Sequence, residues 1–174
     1  DGSWPVPEAP EVYRAAVTAL SANAIFAWVD SFADERKKRA ADAVSRATDW
    51  MRTYVAKADP ETANSWGTGY VLDYFLERHA TNKAFAPSVE KAIALHVGGQ
   101  MPNGAWSYDR GFGTRWKGGF GGWPKTDKGR AHSMNTGPAL VSLARAKKAG
   151  FKIDDGVLKM GTEALVAMRK KPGV

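Results

Sequence analysis

The sequence predicts an all-α chain built from helical hairpins, and three observations predict it. Apolar residues recur at helical spacing through most of the chain. No clean two-residue alternation bounded by turn residues occurs, so no strand is expected. The chain also repeats itself. Ser65-Trp66-Gly67-Thr68-Gly69-Tyr70-Val71-Leu72 lies over Ser133-Met134-Asn135-Thr136-Gly137-Pro138-Ala139-Leu140 at an offset of 68, and Asp1-Gly2-Ser3-Trp4 repeats Asn103-Gly104-Ala105-Trp106.

Taken in order, Pro5, Pro7 and Pro10 mark an extended lead-in. Val12, Ala16, Val17 and Leu20 then follow helical spacing, continued loosely through Ile25, Trp28 and Val29. After a turn at 30–34, Ala40, Val44, Ala47, Met51 and Val55 line one face of a second helix, with Arg and Lys opposite. A loop containing Asp59-Pro60 follows. Ser65 is expected to cap the next helix, which runs from Trp66 through His79. Pro87 sits in the first turn of its partner, where proline costs no hydrogen bond, and Val89, Ile93 and Val97 mark the buried face. A further helix starts at Ser133, with Leu140, Val141, Leu143 and Ala144 expected inward and Gly150 ending it. Val157, Met160, Ala164, Leu165 and Met168 mark the last one. Three hairpins result, at about 8–56, 65–100 and 132–171, in one domain spanning 1–174.

Composition narrows the function classes. At 174 residues the chain can bury a sizeable core. It has no cysteine, which excludes disulfides, thiolate metal ligands and a cysteine nucleophile. No apolar run approaches the roughly 18–20 residues that cross a bilayer. The net charge of +7 suggests a polyanion, but Lys147-Lys148 and Arg169-Lys170-Lys171 suit the negative ends of helices, which argues against nucleic acid. The sequence opens Asp1-Gly2-Ser3-Trp4 and its ends fall inside turn motifs, so a piece of a larger or processed protein is expected. An exported, periplasmic or cell-envelope location is favoured over a cytoplasmic one.

Gln100, Gly104 and Trp106 match the Gln-x-x-x-Gly-x-Trp motif of the terpenoid cyclase and protein prenyltransferase superfamily, which includes squalene–hopene cyclases. The Ser-Trp-Gly-Thr-Gly-Tyr and Asn-Thr-Gly-Pro-Ala-Leu segments resemble the inner-helix starts of squalene-cyclase-like and prenyltransferase-like repeats. The resemblance covers about residues 60–174 and implies an α/α toroid, here a partial one of about three hairpins. The family's chemistry does not carry over. The Asp-x-Asp-Asp acid of the cyclases and the Asp-Asp-x-x-Asp diphosphate motif are missing, and Asp154-Asp155 is placed to cap a helix. The prenyltransferase zinc site needs a cysteine. No cofactor, metal or catalytic residue is therefore expected.

The histidines, His79, His96 and His132, match no metal signature. His96 reads as a satisfied buried imidazole. His132 is expected at the same end as Trp66 and Thr68. The functional candidate is the segment 107–131, an aromatic, glycine-rich and basic stretch too long for an ordinary connection. Tyr108, Arg110, Arg115, Trp116 and Trp123, together with Trp66, Tyr70 and His132, are the expected ligand or partner contacts. The reading is a non-catalytic repeat module binding a partner protein or a glycan, with further toroid repeats as possible neighbours. The alternative is a polysaccharide-lyase-like enzyme acting on an acidic polysaccharide. It rests on Gly122-Trp123-Pro124, which is similar to a segment of one pectate lyase family, with calcium and Arg115 or Arg130 as base.

Overall fold

The computed structural model describes residues 1–5, 11–60, 63, 65–107 and 133–169. All regular structure among them is helical: α1 (Glu11–Trp28), α2 (Asp34–Lys57), α3 (Ser65–Thr81), α4 (Ala86–Gly98), α5 (Ser133–Lys148) and α6 (Asp155–Arg169). Single 3-10 turns at Val29–Ser31 and Lys83–Phe85 help close the first two hairpins.

Local chemistry explains the helix ends. Asp34 and Glu35 occupy the first turn of α2 and Lys57 its last, each complementing the helix dipole. Asn82 accepts a hydrogen bond from the Ala84 amide (3.0 Å), and Pro87 follows at the start of α4. Gly150, at φ +95°, ends α5: its amide and that of Phe151 donate back to the Lys147 and Ala146 carbonyls, satisfying the helix end. Asp154 accepts from the Gly156 amide (2.7 Å) at the start of α6, as its position in the sequence predicts.

α1 packs on α2 and α3, α3 on α4 and α5, and α5 on α6, while α2 touches α4. The first helices of the three hairpins therefore form a row, with α3 at its centre. The α1 face buried in this row is small: Ala15, Ala16, Ala19 and Ala22 are fully buried and let the backbones approach closely. Around them the core gathers Met51, Val71, Leu72, Tyr74, Phe75, Val89, Trp106 and Leu143.

Two expectations are corrected, the Ser65 cap and the inward placement of Val141 and Ala144. Ser65 begins α3, and its hydroxyl donates to the Ser107 carbonyl (2.7 Å) instead of capping its own helix. Leu20 is 43% exposed, because the alanines of α1 hold the interior. Val141 and Ala144 face outward on α5, and Met160 is 41% exposed on α6. For Leu20, Val141, Ala144 and Met160 the spacing is helical as expected, and these positions fall on the outward side of their helices.

Two matching turns seat the hairpins. At residues 100–106 the Asn103 side chain accepts from the Ala105 amide (3.1 Å), and Gly104 adopts φ +84° against the Met160 carbonyl of α6. A Cβ at position 104 would collide with that carbonyl. The Trp106 amide donates to Thr136 Oγ1 (3.1 Å), and Gln100 Nε2 donates to the carbonyls of Gly104 (2.8 Å) and Val157 (3.0 Å). At residues 1–4 the same pattern returns on the first hairpin. Asp1 accepts from the Ser3 amide (3.0 Å), Gly2 at φ +100° presses on the Arg46 carbonyl of α2, and the Trp4 amide donates to Thr18 Oγ1 (3.0 Å).

Candidate functional site

α3 is buried on nearly every side, and the residues it leaves uncovered define the site. Trp66, Gly69, Tyr70, Asp73 and Glu77 escape full burial along one stripe before the helix end. That spacing of three and four residues is one helix face. Trp66 stands edge-on to two rings, Tyr13 of α1 at 5.9 Å and Tyr70 at 5.2 Å between centroids. The equivalent stripe of α5, at the offset of 68, is Met134, Pro138, Val141 and Arg145, and all four are exposed. Met134 is 65% and Val141 59% exposed, large values for apolar side chains. The open face is thus shared by α3 and α5 at matching positions.

The face has two halves. Toward the helix starts it is aromatic and apolar: Trp66, Tyr70, Met134, Pro138 and Val141. Toward the helix ends it is charged. Arg145 donates through Nη1 to Asp73 Oδ1 (2.8 Å) and through Nη2 to Glu77 Oε1 (3.5 Å), while Ser142 Oγ donates to Asp73 Oδ2 (3.1 Å). Burial raises the Asp73 carboxyl above its ordinary value, opposed by Arg145 and Ser142. Both of its oxygens are engaged, so Asp73 ties α3 to α5.

Behind this face lies the Trp106 junction. His96 is almost fully buried, its Nδ1 is 2.8 Å from Thr68 Oγ1, and its ring stacks on Trp106 at 5.9 Å. Burial holds the His96 pKa down to about 4, against the pull of the Ala139 backbone. The Trp106 indole is itself fully buried and donates to the His96 carbonyl (2.9 Å). His96 is therefore a buried core histidine held through Nδ1, while its Nε2 is buried with no hydrogen-bond partner among the described residues, so the fully satisfied imidazole expected from the sequence is not what the structure shows.

Comparison with protein-family profiles, with curated proteins and with solved structures yields no match. Among the described residues no group of three or more His, Cys, Asp or Glu side chains is placed to hold a metal. No described helix is long and apolar enough to cross a membrane.

Of the residues singled out from sequence, Trp66 and Tyr70 lie together on the open face. Tyr108, Arg110, Arg115, Trp116, Trp123 and His132 fall outside the described residues. Sequence reasoning missed Tyr13, Asp73, Met134, Pro138, Val141 and Arg145. The signal was available: carrying the 68-residue register past Tyr70 and Pro138 pairs Asp73 with Val141 and Glu77 with Arg145.

Proposed function

We propose that this chain is a non-catalytic helical-repeat module of the α/α-toroid type that binds a partner protein or a glycan. The observation that carries the binding reading is the apolar and aromatic stripe of partly buried Trp66 and Tyr70 and exposed Met134, Pro138 and Val141 at matching positions of α3 and α5. Apolar side chains held in solvent at equivalent positions of a repeat mark an interaction surface. Half-exposed rings beside a carboxylate–guanidinium pair suit sugar rings and peptide side chains alike. The toroid reading draws support from the hairpin row, the two equivalent Gly turns and the Gln100–Gly104–Trp106 motif. The aromatic, basic segment 107–131 adds ligand contacts in this proposal.

Affinity electrophoresis against neutral and acidic polysaccharides, together with capture of partners from the native extract, provides the test. Trp66→Ala combined with Val141→Asp should abolish whatever interaction the unaltered chain shows, with its melting temperature nearly unchanged. Retention of every interaction by that double variant sinks the reading. Incubation with polygalacturonate and calcium should leave ultraviolet absorbance flat, whereas a steady rise would establish the lyase alternative.

A further inference from the structure

A second concavity lies away from the open face, between α4 and the connection from α5 to α6. Its volume is about 670 Å³, within the range of ligand sites. One wall is the α4 stripe Glu90, Ile93, Ala94 and Val97, which at helical rise runs about 10 Å. The other wall is the connector Phe151–Asp154, which belongs to no helix. His79 lines the groove too, 9% exposed and edge-on to Phe151 at 4.9 Å. Its Nδ1 is sealed from solvent with no hydrogen-bond partner.

The connector says what chemistry fits. Phe151 is half-buried, Lys152 exposed, Ile153 buried and Asp154 exposed, the alternation of an extended chain with one face inward. Among the described residues, neither the amide nor the carbonyl of Lys152 or Ile153 makes a backbone hydrogen bond. An extended wall with unused main-chain groups is an edge that another chain can join. The floor beside it is apolar, formed by Ile93, Val97, Phe151 and Ile153. Glu90 stands exposed on the rim without an ion pair among the described residues. Asp154 adds a second carboxylate, one oxygen of which accepts from the Gly156 amide, and among the described lining residues Lys152 is the one lysine or arginine.

We propose that this groove binds an extended peptide segment of a partner protein. Its main chain pairs with Lys152 and Ile153, a bulky apolar side chain lies over Ile93, Val97 and Phe151, and a flanking basic side chain meets Glu90. The three or four residues that span about 10 Å in extended form match the length of the α4 wall. This site is independent of the face on α3 and α5.

The test uses a fluorescein-labelled, acetylated and amidated peptide, Lys-Phe-Lys-Ile-Lys, titrated with the chain and read by anisotropy. Saturable binding in the micromolar to millimolar range is expected. An analogue N-methylated at the central amides, and one with glutamate in place of lysine, should each bind at least about tenfold more weakly. Ala94→Trp fills the groove from an exposed position and should abolish binding, and Glu90→Lys should weaken it. Trp66→Ala should leave it unchanged. Absence of saturable binding, equal binding of the N-methylated analogue, or loss of binding in Trp66→Ala with retention in Ala94→Trp would each overturn the proposal.

Discussion

The turn at residues 1–4 and the turn at 103–106 are built alike and closed differently. Each uses an Asp or Asn side chain to hold the amide two residues on, a left-handed glycine seated on a helix carbonyl, and a threonine hydroxyl that receives a tryptophan amide. The two Trp-to-Thr distances are 3.0 and 3.1 Å. The indoles differ. Trp106 is fully buried: its N–H is taken by the end of α4, His96 lies along its ring, and Gly161 of α6 admits its far edge. Trp4 is only half-buried. The same seat thus recurs on the first and third hairpins. The seal depends on which helix end lies across the indole, and that is a tertiary matter.

The comparison can be broken most sharply at the two rings. Trp106→Ala should cost about 3–5 kcal/mol, since it empties a buried site and takes one of two donors from the His96 carbonyl, which keeps the Gly99 amide. Trp4→Ala should cost only about 1–2 kcal/mol because less surface returns to water. Urea unfolding of the two variants checks this, and equal losses would mean that the two junctions are equally sealed.

Acid should act on the Trp106 side through His96. Its pKa is held down to about 4 in the folded chain, against an ordinary 6.5 once unfolded. Between those values the unfolded chain takes up a proton that the folded one refuses. Stability therefore falls as pH drops from 6.5 toward 4, by about 3 kcal/mol in total, and this contribution is flat outside that window. His96→Gln should flatten the corresponding part of a stability-against-pH curve. A slope identical to that of the unaltered chain would count against the buried, neutral imidazole.

The smallest expected difference lies at the threonines, both fully buried. Thr136→Val strands the amide of buried Trp106 and should cost about 1–2 kcal/mol. Thr18→Val should cost less than about 1 kcal/mol, because water can reach the half-covered turn and replace the lost acceptor. Thermal melts of the pair would show the order, and a reversal would mean that the two hydroxyls are not equivalent.

Much of the fold is legible in the residues. Helical periodicity and punctuation by Pro87, Gly150 and Asp154 place the helices, and the repeated Asx-Gly-x-Trp identifies the two seats. The candidate site is only half legible. Trp66 and Tyr70 stand out as aromatic side chains near a helix start. Val141 reads as core from its spacing, yet it is exposed because α3 and α6 occupy the other sides of α5. Thr68 and Thr136 align by register but do different work: Thr68 holds His96, while the working counterpart of Thr136 is Thr18. The turns stand at different distances along the chain from these threonines, so no fixed offset relates them.

By itself the sequence determined that this chain would be helical, where most of its helices start and stop, and that one turn motif occurs twice. Those outcomes follow from steric limits and hydrogen bonds among near neighbours, which act whatever lies farther off. Only the tertiary structure decided which apolar faces stay in water, which tryptophan is sealed and which threonine serves it. Those depend on contacts between residues far apart in the chain, and periodicity shows that a face exists without showing what will cover it.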